Sequence, residues 1–198
     1  MLWPQKSLEK AKLPDIELKG FRVVLRPVRL SDYPDWYEVR SRNEARLRKY
    51  EPKWADDALT CDFFERRIER QIREWTAGRA YCFVIIDKES GKLIGGMNLN
   101  NICRGAVMAA SLGYWIDQKY EGLGYMAEAG RLIKGFAFKK LELRRINAAC
   151  LPENTRSQNL LLNLGFEKEG FAKSYLQING RWQDHVLFGL CAPGLDGQ

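Results

Sequence analysis

Side chains that hold metals are scarce in this chain. Its 198 residues contain one histidine, His185, and five cysteines, Cys61, Cys82, Cys103, Cys150 and Cys191, with no Cys-x-x-Cys pair. Zinc-ligand spacing is absent, so no resident metal is expected. The odd cysteine count argues against a disulfide framework. Four of the five lie among apolar or strand-like neighbours, which predicts buried, reduced thiols and a cytoplasmic compartment. No apolar run approaches the roughly 20 residues of a membrane span. The segment Met1 to Asp15 lacks an apolar stretch of signal-peptide length. Residues 1–18 are expected to form a flexible lead-in, 19–192 a single domain and 193–198 a frayed tail. Internal repeats and low-complexity segments are missing. Acidic residues are outnumbered, 25 against 32 Lys and Arg, for a formal net charge of +7. Such a surface attracts nucleic acid, the ribosome or a polyphosphate cofactor, and reads equally as surplus surface charge.

What is present reads as alternating strands and helices. Phe21 to Pro27 has strand periodicity. Ser31 is placed to cap a helix with Pro34 near its start, running to about Arg42. Residues 43–57 are charged and are expected to loop over the surface. A second helix starts near Thr60, with Phe64, Ile68, Ile72 and Trp75 on one face and Gly78 as its stop. Tyr81–Asp87 and Lys92–Asn100 flank the turn Lys88-Glu89-Ser90-Gly91, a hairpin signature. Val107–Ile116 makes a third antiparallel strand. Then come a helix over 125–139, a strand over 144–150, a short helix over 154–164, and a hairpin around Asn179-Gly180. The fold class is α+β, a mixed sheet with helices covering it.

The most informative stretch runs from Ser111 to Glu128. A strand containing Leu112, Tyr114 and Ile116 enters the loop Lys119-Tyr120-Glu121-Gly122-Leu123-Gly124, and a helix follows at once from Tyr125. Strand, glycine loop and helix start aim several backbone N–H groups at one spot, a ready site for phosphate or pyrophosphate. Gly122 to Ala127 also fits G-x-G-x-x-A, the dinucleotide fingerprint, with Glu142 at about the distance of a ribose contact. Context opposes a nicotinamide cofactor: the preceding strand is the third of a meander, and Glu142 lies before the next strand rather than at its end. No Gly-Lys-Ser/Thr follows, which excludes a P-loop.

The loop Lys119-x-x-Gly122-x-Gly124 resembles the acyl-CoA pyrophosphate loop of the GNAT N-acetyltransferases, Gln/Arg-x-x-Gly-x-Gly/Ala. The resemblance extends from about Phe21 to Leu190. It is specific to the RimJ/RimL-type branch, whose RimJ members acetylate the N-terminal alanine of a small-subunit ribosomal protein. Leu112-Gly113-Tyr114-Trp115-Ile116, Pro152-Glu153-Asn154 with Ser157, Leu164 to Gly170, and Gly180-Arg181-Trp182-Gln183-Asp184-His185 carry it, in that order. Lys119 departs from the family's Gln or Arg, at a position where backbone amides make most contacts.

The resemblance implies a mostly antiparallel sheet of about seven strands, splayed between the fourth and fifth. It implies acetyl-CoA as co-substrate, with its pantetheine arm against Trp115, Ile116 and Ala148 to Cys150 and its pyrophosphate on the amides of residues 120–125 (Tyr120, Glu121, Gly122, Leu123, Gly124, Tyr125), beside Lys119. Asn154 is then a partner for a pantetheine amide, or simply a helix N-cap. Many relatives use a tyrosine further along this helix as the acid. Leu161 occupies that position here, and Ser157, one turn from Asn154, becomes the hydrogen-bond donor to the departing thiolate, or is merely a polar helix residue. A backbone N–H near Ile116 would polarise the thioester carbonyl. The general base stays open among Glu51, Asp184, Glu128 and His185; the carboxylates read first as surface charges or ion pairs, the histidine as a structural one. Because an α-amine has a pKa of about 7.7–8.0, a water held by backbone carbonyls and a carboxylate would suffice.

Arg40, Arg42, Arg46, Arg48, Arg66, Arg67, Arg70 and Arg73 crowd the segment that overhangs the acceptor cleft in this family. They would guide an acidic or ribosomal partner, or form a solvated face. Tyr50, Trp54, Tyr175 and Trp182 would line an acceptor groove or fill core. The expected activity is acetyl transfer to a protein N-terminus. Competing readings are the same chemistry on a small-molecule amine, and a ribosome- or RNA-binding module with weak catalysis. Sequence-specific nucleic-acid binding and membrane association are not expected. Monomer and dimer are both compatible.

Overall fold

A computed structural model describes residues 13–194. The lead-in before residue 13 and the tail from residue 195 lie outside the described residues. Eight strands form one sheet in the order β1-β2-β3-β4-β5-β6-β8-β7. They are β1 (Leu18–Lys19), β2 (Val23–Arg26), β3 (Tyr81–Asp87), β4 (Leu93–Cys103), β5 (Ala109–Ile116), β6 (Arg145–Cys150), β7 (Glu167–Ile178) and β8 (Arg181–Cys191). The helices are α1 (Tyr33–Arg42), α2 (Glu44–Leu47), α3 (Cys61–Thr76), α4 (Tyr125–Gly135) and α5 (Thr155–Asn163). Only β5 and β6 run parallel; the other pairs are antiparallel. The eighth strand beyond the expected seven is the two-residue β1, so the splay lies between the fifth and sixth strands here. Among the described residues, no helix is long and apolar enough to cross a membrane, and no group of three or more His, Cys, Asp or Glu is placed to hold a metal.

Local rules account for most boundaries. The Thr60 side chain accepts from the Phe63 amide at 3.2 Å, capping α3. Residues 43–57, expected as loop, contain the single turn α2, because the Asn43 carbonyl accepts from both Arg46 and Leu47. The helix after the glycine loop ends in a five-residue π turn, Phe136–Lys140. Asn179 and Gly180 both take positive φ, 46° and 79°, as a tight turn between twisted strands requires. The cysteine expectation fails: Cys150 is buried, Cys82 is half-buried, and Cys61, Cys103 and Cys191 are exposed. All five are free. Three of these sit at element ends, where an apolar neighbourhood in sequence does not become a buried one.

Two apolar layers sandwich the sheet. On one face α4 and the π turn cover Phe83, Met97, Leu99, Leu112, Ile116, Ile146 and Phe188. On the other, Trp36 of α1 and Phe64 and Ile68 of α3 close over Val84 and Leu93, with Trp115 packed against them. Tyr114 and Trp115, adjacent on β5, therefore face opposite layers. Trp115 has room because β4 carries glycines opposite it. A Cβ on Gly96 would come within 2.6 Å of its indole Nε1.

Two buried carboxylates tie these layers together. Asp117, at the end of β5, is fully buried. It accepts from the Arg42 guanidinium and, at 2.8 Å, from Asn43 Nδ2, and Asn43 Oδ1 accepts from the Gln118 amide at 3.0 Å. The start of the glycine loop is thereby fastened to α1. Glu128 of α4 accepts from the amides of Arg22 at 2.8 Å and Val23 at 3.2 Å, fastening α4 to β2. Burial alone would raise the pKa of each. Hydrogen bonds outweigh it, from Arg42 and Asn43 at Asp117 and from Arg22 and Val23 at Glu128, so both are held below the ordinary carboxylate range.

Unfolded Asp and Glu titrate near 3.9 and 4.3, so the stability these groups contribute is complete above about pH 4.3 and is lost as pH falls through their lower native values. Thermal melts from pH 7 to pH 3 are expected to show that acid decline. Asp117→Ala, which leaves Asn43 Nδ2 without that acceptor and Arg42 with Glu38 alone, is expected to cost about 1–3 kcal/mol at pH 7 and to flatten the decline. A wild-type melting temperature unchanged down to pH 3 would contradict this assignment.

Candidate active site

The β5 and β6 ladder is short. Ala109, Ala110 and Ser111 pair with Arg145, Ile146 and Asn147, and there the pairing stops. Beyond it β5 stays bound to β4 as far as Ile116, and β6 to β8 as far as Cys150. The facing edges of Leu112–Ile116 and Ala148–Cys150 are left without a ladder partner. A cleft of about 820 Å³ passes through this opening and is lined from both layers.

On the α4 side the cleft meets the glycine loop. The amides of Tyr120 and Glu121 are used within the turn, by the carbonyls of Asp117 and Gln118. Those of Gly122 to Ala127 have no hydrogen-bond acceptor among the described residues. The free amides therefore run from Gly122 to Ala127, two residues later than the expected 120–125. Gly122 and Gly124 have φ of 73° and 83°, which favours glycine, and no atom lies within 4 Å of where a Gly122 Cβ would stand. The helix dipole and open amides make an anion cradle. Glu121 is the one carboxylate at its rim, and Arg46 and Arg156 both pair with it.

Trp115, Ile116, Tyr120, Glu121, Gly122, Gly124, Asn154 and Ser157 all line the cleft; Lys119, Leu123 and Tyr125 do not. Lys119 is exposed on the turn before the loop and Leu123 is exposed at its tip. The Tyr125 ring stacks edge-on with Tyr120 beneath the Arg22 guanidinium. Asn154 does cap α5: its Oδ1 accepts from the Ser157 amide at 3.1 Å. That leaves its Nδ2 donors to the cleft, so capping and ligand binding are compatible in one side chain.

Ser157 is not alone. Its hydroxyl lies 2.6 Å from the Tyr114 hydroxyl, whose single proton can go to the Ser157 Oγ or to the Ser157 carbonyl at 3.3 Å. Burial raises the Tyr114 pKa well above the ordinary phenol value, so it remains a proton donor. Cys150 lies against the same pair, and burial raises its thiol pKa too. Tyr114 was visible only as part of an apolar alternation and of the segment that carries the family resemblance. Nothing local marks its hydroxyl as functional.

The base candidates separate cleanly. Glu128 is consumed by β2 and does not line the cleft. Asp184 is outside it too; its carboxylate accepts from the Ser174 amide at 2.8 Å, holding a β7 bulge in which Ser174 has φ of 46°. Glu51 lines the cleft but is held bidentately by Arg40 at 2.6 and 2.7 Å and by the Trp54 indole at 2.8 Å. His185, 2% exposed, also lines the cleft. Its Nδ1 sits 2.9 Å from the Gln183 carbonyl, which can only accept, so Nδ1 carries the proton and Nε2 offers a lone pair. The Tyr175 ring packs edge-on against the imidazole at 5.8 Å. Of the aromatic candidates, Tyr50 lines the cleft and Trp54 is buried core, while Trp182 is 64% exposed on the β8 surface.

Residues 22–167 match the acetyltransferase (GNAT) domain family. The ribosomal protein uS5-alanine N-acetyltransferase of Escherichia coli is 34% identical over 184 residues, covering 93% of this chain and 95% of that protein. The structure of ribosomal-protein-S5-alanine acetyltransferase from Vibrio fischeri aligns with a TM-score of 0.84 at 33% identity, covering 91% of this chain and 98% of that one. Mycobacterium smegmatis RimJ, solved in complex with CoA-disulfide, aligns with a TM-score of 0.82 at 32% identity, covering 88% and 84%. The parted strands, the glycine loop and these matches together establish that the chain belongs to the acetyltransferase (GNAT) domain family and is an N-acetyltransferase.

Proposed function

We propose that this protein transfers the acetyl group of acetyl-CoA to the N-terminal amine of a protein, with an N-terminal alanine of a small-subunit ribosomal protein as the foremost acceptor. The observation that carries the reading is the opening between β5 and β6, which leads directly onto the open amides of Gly122 to Ala127. A chain with two amides and a pyrophosphate fits it group for group. The strand edges pair with the amides as an added strand would, and the loop takes the phosphates. The uS5-alanine specificity of the Escherichia coli and Vibrio fischeri relatives supports the acceptor. A cytoplasmic site of action and a protein partner follow from that acceptor.

When bound, acetyl-CoA supplies an acyl group already activated as a thioester. The protein's part is to position, to take one proton and to stabilise the leaving thiolate. Asn154 Nδ2 and the edges of Trp115 and Ile116 fix the arm and aim an N–H at the carbonyl oxygen. Ser157, when its Oγ accepts from the Tyr114 hydroxyl, hydrogen-bonds the sulfur as the thiolate leaves, and the thiolate takes its proton from water. His185 lies across the sheet from that pair, since its β8 neighbours Val186 and Phe188 belong to the α4-side core. Its Nε2 takes the proton from the attacking amine. With the amine pKa only about 7.7–8.0, this transfer is not demanding. An excess of arginine over carboxylate in the acceptor half disfavours polycationic small molecules as acceptors.

Incubation with acetyl-CoA and peptides beginning with Ala, Ser or an acetyl-blocked residue followed by Lys tests the reading by thiol release and mass. Modification of the free Ala terminus is expected. Acetylation of internal lysine at equal rate, or none at all, would overturn it. Gly124→Glu is expected to weaken CoA binding about 10- to 100-fold relative to Gly124→Ala, which shares the left-handed strain of about 1–2 kcal/mol without the charge. Equal affinity of the two variants would remove the phosphate assignment. Ser157→Ala and His185→Gln are each expected to lower kcat, His185→Gln by about 10²-fold, with CoA affinity retained. Unaltered kcat would return that residue to a structural role.

A further inference from the structure

Three arginines from the α1 to α3 segment line the cleft: Arg40, Arg46 and Arg67. Two of them are neutralised. Arg40 is held bidentately by Glu51 and stacked over the Trp54 ring at 4.2 Å. Arg46 is paired with Glu121 and also donates to the Ile116 carbonyl. No carboxylate is left in the cleft for the third, and Arg67 forms no salt bridge among the described residues. It sits on α3 between Phe64 and Ile68, half-buried, with Asn98 of β4 in the same wall. Burial pulls its pKa below the ordinary arginine value, and the neighbouring Arg40 adds to the effect. Behind it, Gln71 is buried with its Oε1 unpartnered, and lines a small void together with Arg67 and Asn98. A half-buried guanidinium that faces the cleft with no ion pair of its own, its neighbouring carboxylate Glu51 already held by Arg40, has its N–H fork free for a ligand.

We propose that Arg67, with Asn98 beside it, is a subsite for a carboxylate carried by the acceptor. A planar fork of N–H donors suits a carboxylate, and the low-dielectric wall strengthens the pair. Asn98, which lines the cleft beside it, supplies a further donor from its Nδ2. The subsite lies on the Trp115 side of the sheet, away from the glycine loop, so it reads the acceptor and not the acyl donor. The proposal rests on the N-acetyltransferase reading of the same cleft. Two sources offer the group: an acidic side chain within the first few residues of an acceptor peptide, or the α-carboxylate of a small amino-acid-like amine.

The test compares kcat/KM for matched amines that differ only in that charge. Ala-initiated peptides carry Glu or Gln at position 2, 3 or 4, and free alanine is set against alanine amide. Wild-type enzyme is expected to favour one Glu peptide over its Gln partner by about 10-fold or more, the worth of a charge-assisted hydrogen bond. Arg67→Gln is expected to collapse that ratio toward one, and Arg67→Lys to retain part of it. A preference confined to the peptides assigns the side-chain source, and one confined to alanine over its amide assigns the α-carboxylate. Turnover with no charge preference in the wild type, or a preference that survives intact in Arg67→Gln, overturns the subsite and leaves the enzyme reading standing. Turnover of no amine at all removes both. Because the wild-type ratio needs no variant, a misfolded Arg67→Gln does not shelter the proposal.

Discussion

Everything in this molecule turns on hydrogen bonds that β5 and β6 do not make. Two parallel strands that pair for three residues and then part leave edge groups in the middle of a sheet, where unmet N–H and C=O groups are costly. Each strand is held open from its far side, β5 by the ladder to β4 and β6 by the ladder to β8. The Ile116 carbonyl is partly compensated by Arg46. The rest await a ligand that offers amides in strand-like spacing. Closing the gap would satisfy the backbone and abolish the cleft, so the opening is bought by the rigidity of the two half-sheets.

That rigidity depends on charge placed with care. An anion cradle made of bare amides is weakened by any carboxylate nearby, yet Asp117, Glu121 and Glu128 all lie within the strand-loop-helix unit. Each is spoken for. Asp117 is matched by Arg42 and Asn43, Glu128 by the Arg22 and Val23 amides, and Glu121 by Arg46 and Arg156. The same pairings that cancel the negative charge also fix the loop to α1, α2 and α5. Electrostatic tidying and mechanical support are one set of contacts.

The strand, glycine loop and helix start were legible because they are contiguous and obey local rules: an alternating strand, glycines at positive φ, and a helix beginning without a break. Asn154 and Ser157 were singled out by the family resemblance together with their spacing on one helix turn, and both line the cleft. Tyr114, Asp117 and the orientation of His185 were not, because their roles arise only when β4, β5, β8 and α1 meet. The arginine run shows the limit most clearly. In sequence Arg66, Arg67, Arg70 and Arg73 are alike; in the fold Arg67 alone falls beside the Phe64 and Ile68 stripe and turns inward. Helical periodicity cannot show which flank of an apolar stripe borders a cleft. The cysteines misled for a related reason, since apolar neighbours at the end of a strand do not bury it.

The alternation of a single strand divides the labour of the site. Tyr114 points to the α4 layer and joins Ser157 on that side of the opening, whereas Trp115 points to the α1 and α3 layer, where Arg40, Arg67 and Asn98 line the cleft, the wall proposed to meet the acceptor. Acetyl transfer from a thioester to an amine needs little more than alignment, removal of one proton and a stabilised thiolate, and backbone groups with Ser157, Tyr114 and His185 can meet that need. Selectivity in the proposed reading then falls to the second layer. There α3 makes none of the contacts that fasten the glycine loop, whereas α1 and α2 hold it through Arg42, Asn43 and Arg46, so changes in α3 can alter which amine is acetylated without disturbing the amides proposed to hold the donor.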